Sequence, residues 1–413
     1  MALVRALRMG LSAALCLAAI SCGGGGGSGG GGFSGTPPLT NNVASVIVDD
    51  GPTVNGSQIG SVNTLFATIT VCAPGSTTSC QTIDHIQVDT GSYGLRLLAP
   101  VLTLTLPVEK LADGNSLLEC TQFLDGFSWG PVVMADLQIT GETAKSLPIQ
   151  VIGDSRFPAV PANCSGSGTG MAEDTVNAFG ANGILGIGPF EFGCGDCDTA
   201  THGIYYACGT TCAETVVPTA MQEPNPVTRF AVDNNGSIID LPAAASMGAA
   251  TLTGSLTFGI DTQTNNKSGT QTVLTVNGSA ELTMTFNGQS LTNSFIDSGS
   301  NGIFFADSNI VTCTAAGLTS FYCPANTLTL GLSIQGANGV MVNNLTFNVG
   351  NTQTIVSTAP TNTYTVLPQL AGTLPAGNAG TFDYGLAFFY GKRVAVAVEG
   401  NTTSVGMGPY IAF

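Results

Sequence analysis

Apolar residues along this chain come in short runs broken by turn formers, not at helical spacing. Ile86 to Val88, Pro131 to Ile139, Gly183 to Gly188 and Arg393 to Val398 are representative segments. Each is a few residues of mostly apolar character, closed by a glycine, an acid or a polar pair. Such runs predict many short strands, and stretches with helical apolar periodicity are hard to find. The 55 glycines, with abundant Thr, Ser, Asn and Val, agree with strands joined by tight turns. The expected class is all-β. A length of 413 residues suits two β lobes sharing an interface. With 43% hydrophobic and 9% charged residues, there is ample material for a large core.

One run departs from this pattern. Leu11 to Ile20 is apolar and follows Arg5 and Arg8, as the h-region of a signal peptide does. It is too short to span a bilayer. The run ends at Ala19-Ile20-Ser21-Cys22, which resembles the lipobox of bacterial lipoproteins, with Ala19 where Leu is more usual. That resemblance implies lipidation of Cys22 as the mature N-terminus. Gly23 to Gly32, broken only by Ser28, has no side chains to pack and reads as a flexible tether. Gly23 after the cysteine is similar to the outer-membrane sorting pattern of such lipoproteins. The expectation is a signal peptide over 1–21 and a lipid anchor with tether over 22–42. The chain would be exported and held in the bacterial cell envelope, at the outer membrane, on its periplasmic or surface face. The lipid would be its only membrane contact.

The formal net charge is −16, and removal of Arg5 and Arg8 with the leader brings it to −18. A nucleic-acid or anionic-lipid surface needs clustered Lys and Arg, so a nucleic-acid partner is not expected. Of the 12 cysteines, Cys16 leaves with the leader and Cys22 is taken by lipid. The ten that remain suit pairing in an oxidising compartment. Cys72 with Cys80 and Cys313 with Cys323 read as local bridges, and Cys120 with Cys164 as a longer one. Cys194, Cys197, Cys208 and Cys212 fit two nested bridges or, by spacing alone, a zinc site; export favours disulfides.

The most informative feature is a pattern that occurs twice. Ile86-Gln87-Val88-Asp89-Thr90-Gly91-Ser92-Tyr93-Gly94-Leu95 is matched by Ser294-Phe295-Ile296-Asp297-Ser298-Gly299-Ser300-Asn301-Gly302-Ile303. The glycine after each Asp-Thr/Ser pair permits a tight turn close to another backbone. Two such loops meeting across a twofold axis would bring two carboxylates together. Like charges at that separation share one proton and titrate as a pair. The ionised member can then activate a water while the protonated member donates to a carbonyl oxygen.

These residues resemble the pepsin-like aspartic peptidases. Gly183-Ile184-Leu185-Gly186-Ile187-Gly188 and Phe382-Asp383-Tyr384-Gly385-Leu386-Ala387 are similar to that family's apolar-apolar-Gly segments, although Asp383 breaks the apolar rule. Arg393 to Glu399 and Val405 to Pro409 are similar to its closing strands. The Phe-Asp-aromatic-Gly-Leu segment also suggests kinship with uncharacterised bacterial lipoproteins. The resemblance implies a bilobal fold with a central cleft, lobe one over 43–240 and lobe two over 241–413. It implies Asp89 and Asp297 as the catalytic pair. Thr90 and Ser298 would lock the two loops, Ser92 and Ser300 would bond the outer carboxylate oxygens, and Gly91 and Gly299 would form the turns. No metal or organic cofactor is implied, the substrate would be a peptide or protein, and both motifs in one chain make a monomer sufficient.

Three departures stand against this. The candidate flap hairpin, Phe123 to Gly130, includes an Asp125-Gly126 turn but no tyrosine; Phe123 or Trp129 would have to cover the cleft. No basic propeptide lies between Cys22 and Val43. Tyr93 and Asn301 replace small residues. The sequence therefore supports an aspartic endopeptidase first, and second a non-catalytic envelope protein of the same fold that binds a peptide or another partner. A serine triad is poorly supported: the Gly-x-Ser-x-Gly string Gly26 to Gly30 lies in the tether. His85 and His202 read as structural and loop residues.

Overall fold

The computed structural model describes residues 41–123, 126–166, 171–358, 364–374, 378 and 380–413. The leader, Cys22, most of the tether and Asp125 lie outside the described residues.

The short alternating runs become strands. Val43–Val48 buries every second residue, as a strand with one face on the core should. In the first half of the chain, six strands close a ring. Leu65–Cys72 pairs with Cys80–Asp89, which pairs with Gly183–Ile187. That strand pairs with Tyr93–Leu98, then come Glu142–Ile152 and Phe127–Ile139, and the last returns to Leu65–Cys72. Closure leaves no free edge within this ring of six strands. Gly183–Ile187 is buried at all five positions, which explains why its sequence is continuous rather than alternating.

The second half builds a smaller, seven-stranded sheet. Its order runs from Met341–Val349 through Leu328–Gln335, Leu282–Phe286, Gln289–Ile296, Asp383–Tyr384 and Ile303–Phe304 to Ala371–Gly372. Aromatic rings fill it. Phe305 stacks on Phe382 with centroids 5.1 Å apart, and Phe286 and Phe347 meet both rings at an angle. The chain is thus all-β in two lobes, an arrangement consistent with a pepsin-like bilobal fold.

A bridge joins the two lobes. Val43–Val48 pairs with Leu252–Phe258, which pairs with Gly236–Leu241, and that strand pairs with Lys392–Ala397. The expected lobe boundary at 240/241 falls inside the strand Gly236–Leu241. Asn63, fully buried with φ +48°, ties the lobes together. Its side-chain amide donates to Asn301 O and Leu367 O, while its Oδ1 accepts from Leu367 N and the Tyr390 hydroxyl.

Among the described residues five disulfides form, and three pair as expected: Cys72–Cys80, Cys120–Cys164 and Cys313–Cys323. The remaining four cysteines are not nested. They close as Cys194–Cys197 and Cys208–Cys212. The reason is strand register: Tyr205–Cys208 and Cys212–Glu214 form a hairpin in which Cys208 faces Cys212 directly. Among the described residues, no helix is long and apolar enough to cross a membrane.

Candidate active site

Both copies of the repeated motif fold into the same crossed loop. In the first lobe, Cys80–Asp89 leads into the Thr90–Ser92 turn and leaves it as the outgoing strand Tyr93–Leu98; the later strand Gly183–Ile187 is the return strand. Gly183–Ile187 slots between these strands, parallel to the first and antiparallel to the second, with Gly186 beside Asp89. In the second lobe, Asp383–Tyr384 lies in the same way between Gln289–Ile296 and Ile303–Phe304. The glycine of each return strand permits this crossing. A Cβ on Gly186 would stand 2.6 Å from Tyr93 N, and one on Gly385 would stand 2.3 Å from Gly302 O.

The two loops meet and brace one another. Thr90 N donates to Ser298 Oγ over 3.1 Å, and Ser298 N donates to Thr90 Oγ1 over 3.0 Å. Ser298 Oγ also donates to Val88 O, and the Gln87 amide donates to Gly299 O. Each aspartate is held from its own loop as well. Asp89 Oδ1 accepts from Gly91 N (2.7 Å) and Oδ2 from Ser92 Oγ (2.5 Å). Asp297 Oδ1 accepts from Gly299 N (2.7 Å) and Oδ2 from Ser300 Oγ (3.0 Å). The duplicated sequence has become a duplicated set of hydrogen bonds.

The glycines show how close the carboxyls come. A Cβ on Gly91 would meet Asp297 Cγ at 2.7 Å, and one on Gly299 would meet Asp89 Oδ1 at 2.5 Å. Each carboxyl therefore packs over the glycine of the opposite loop. Burial, then the neighbouring Asp89 and then Asp383, hold the Asp297 carboxyl well above the usual carboxylate range. A hydrogen bond with Asp89 acts in the same direction. Asp297 is hemmed in by protein yet keeps partial exposure to solvent, whereas Asp89 is 6% exposed. A carboxyl with its pKa raised beside a second carboxyl is chemically suited to share a proton with it.

The flap hairpin differs from expectation. Its strands are Ser116–Gln122 and Phe127–Ile139, which pair with one another, and Phe123 N donates to Gly126 O. Trp129, however, is 5% exposed and committed to packing. Its indole N–H donates to Phe157 O, and its ring meets Tyr206 edge-on beside the Cys120–Cys164 bridge. It faces the strap of residues 154–166, through Phe157, Val160 and Cys164. Met171 and Glu173 lie along the hairpin near Gly126: Phe127 N donates to Met171 O, and Glu173 N donates to Phe127 O. A Cβ on Gly126 would strike Met171 O at 2.6 Å. Phe123 is half-buried and meets Phe179 edge-on in a cluster that includes Ile184.

Sequence reasoning missed a buried charge network under the hairpin. The fully buried Arg96 donates from Nη2 to Glu119 Oε1 (2.5 Å), from Nε to Glu119 Oε2 and Thr121, and from Nη1 to Tyr93 O. Glu119 and Thr121 lie on the hairpin strand Ser116–Gln122, and Tyr93 follows the Thr90–Ser92 turn, so one guanidinium links them. Nearby, Glu223 accepts from the Tyr205 hydroxyl, and burial together with Glu119 pushes its carboxyl up to about 8. The available signal was a lone arginine in the otherwise apolar run Tyr93-Gly-Leu-Arg-Leu-Leu.

The histidines lie elsewhere. His85 pairs with Asp49 (3.3 Å), and that contact raises its pKa. His202 pairs with Asp196 (2.8 Å), with Cys194 close by. The Cys194 sulfur is held in its disulfide and offers no thiolate to a metal.

Comparison with known proteins gives three results. No curated protein matches the chain. Among solved structures, it is similar to an aspartic proteinase from Irpex lacteus, with a TM-score of 0.48 and 14% identity over 90% of this chain and 96% of that one. The model of a family described as "Protein of unknown function (DUF3443)" matches residues 38–413, nearly the whole length. The chain belongs to the DUF3443 family.

Proposed function

We propose that this protein is an aspartic endopeptidase in which Asp89 and Asp297 share one proton. One observation carries the reading: each carboxyl packs over the glycine of the other's loop, with the loops locked by reciprocal Thr90–Ser298 hydrogen bonds. A single carboxyl in a turn needs none of this. Binding alone would also not require both aspartates to keep complete sets of donors.

In the proposed reaction a water lies against the pair, in a cleft between the lobes, with an extended peptide above it. The ionised carboxyl takes a proton from the water as its oxygen attacks the scissile carbonyl carbon. The protonated carboxyl donates to the carbonyl oxygen. Proton transfer to the amide nitrogen then allows the C–N bond to break. The leader, Cys22 and the glycine tether support an exported enzyme anchored by lipid in the bacterial cell envelope, acting as a monomer.

The test is digestion of a peptide mixture by the purified full chain from pH 3 to 8, alongside Asp89→Asn and Asp297→Asn. Cleavage in the wild type, reduced at least roughly 10³-fold in either variant, supports the dyad. Cleavage that survives either substitution at full rate excludes it. A folded wild type that cuts nothing favours the second reading, a binding protein using the same site. Replacing Cys22 with Ala should release the chain from membranes; continued lipid labelling of that variant would exclude the anchor.

A further inference from the structure

Asp383 is 0% exposed, and neither of its side-chain oxygens receives a hydrogen bond. Burying a carboxyl without partners is unfavourable, so packing alone does not explain it. The first lobe shows what packing would choose. There the equivalent residue, two before the return-strand glycine, is Ile184, registered against Arg96. In the second lobe Asp383 is registered against the apolar Phe304. An aliphatic side chain would satisfy that setting.

The surroundings of Asp383 are acidic. On one side it pairs with Phe295, two residues before Asp297. Asp297 and Asp89 are the ionisable groups that act on it or that it acts upon, one from each loop. Ser300, which donates to Asp297, is near enough to favour the ionised form, although it makes no well-formed hydrogen bond to Asp383. The flanking Phe382 and Tyr384 point into the aromatic core. Among the described residues, no Lys, Arg or His acts on the group.

We propose that Asp383 is a third carboxyl of the site, whose negative charge holds the shared proton on the Asp89–Asp297 pair as pH rises. It is a positioning residue that acts through the pair, and it rests on the peptidase reading for its effect on rate. Three carboxyls without a cation must ionise one after another. The first proton leaves the pair, which is held by loop donors, while the dry Asp383 stays neutral. A neutral group exerts no charge effect, so the acid limb of the pH–activity profile does not depend on it. Burial delays ionisation of Asp383 to about pH 8. Its charge then opposes loss of the last shared proton. The alkaline limb therefore moves upward while the acid limb stays in place.

The test uses the full chain as wild type, Asp383→Asn and Asp383→Leu, the last restoring the apolar character of the first lobe. Peptide cleavage and 13C-carboxyl NMR of aspartate-labelled protein are followed from pH 3 to 10. In both variants the alkaline limb and the last carboxyl titration should fall by about one pH unit or more, with the acid limb unmoved. Folded variants that leave the limb and the last titration in place overturn the proposal. So does a wild-type Asp383 resonance that titrates in the ordinary carboxylate range, a result that needs no variant. If the wild type cleaves nothing, the peptidase reading fails. The carboxyl titration then decides the role of Asp383 alone: a shift supports it and no shift overturns it.

Discussion

The two crossed loops differ most at one register position. In the first lobe the charged residue sits on the outgoing strand, as Arg96, opposite the apolar Ile184. In the second it sits on the returning strand, as Asp383, opposite the apolar Phe304. Arg96 is surrounded by anions, with Glu119 at hydrogen-bond distance and Glu223 nearby. Among the described residues, Asp383 has no counter-ion. One backbone plan, used twice, thus supports a satisfied buried charge on one side and an unsatisfied one on the other. The first loop anchors the flap strand, and the second brings a further acid towards the pair. A buried charge with partners serves as structure, whereas one without them must either stay neutral or bear on the chemistry beside it.

The strongest challenge to this comparison targets what the two loops share. Gly91→Ala and Gly299→Ala should each reduce peptide cleavage by roughly 10²-fold or more, because the new methyl displaces the opposite carboxyl. Equal losses in kcat would support a symmetric pair. A harmless substitution at either site would show that the carboxyls are not packed as described.

The next largest effect lies in the first lobe. Arg96→Leu should destabilise the protein by about 3–5 kcal/mol, because it leaves Glu119 buried without its cation. Combining it with Glu119→Leu should recover most of that loss. Urea unfolding of the single and double variants measures both, and a double variant no more stable than Arg96→Leu would contradict the ion-pair account.

The smallest effect belongs to the second lobe and has the opposite sign. Burial raises the Asp383 carboxyl to about 8 in the folded protein, while the unfolded chain releases that proton near the ordinary aspartate value of 3.8. The folded state therefore binds more protons between these values. Stability from this group is fully present at pH 3 and is lost progressively as pH rises from about 4 towards 8. Asp383→Asn should remove that loss and gain on the order of 1–4 kcal/mol at pH 8 relative to pH 4, allowing for new unsatisfied amide groups. Thermal melts of both proteins across this range give the slope, and parallel curves would show that Asp383 ionises freely in the fold.

Much of this molecule could be read from its residues. The duplicated Asp-Thr/Ser-Gly-Ser turns are local, because glycine and hydroxyl residues act within a few positions of the aspartate. The return-strand glycines were visible for the same reason, since the crossing needs a residue without a Cβ at Gly186 and Gly385. Two local cysteine pairs, Cys72–Cys80 and Cys313–Cys323, followed from spacing, and the longer Cys120–Cys164 bridge was expected beside them. Trp129 did not follow. Its aromatic character suited a cleft cover, but which face of the hairpin it occupies depends on the strap beyond Asp154 and on the Cys120–Cys164 bridge.

The division has a physical basis. The sequence by itself determined strand content, the two motif turns and the residues able to share a proton, because each depends on backbone freedom or side-chain chemistry at neighbouring positions. Tertiary structure alone decided that Arg96 meets Glu119, that Cys208 faces Cys212, and that Asp383 is buried without a partner beside the pair. These contacts join residues through strand register and lobe closure. Register is fixed only when both faces of a sheet find their cover, so local pattern cannot specify it.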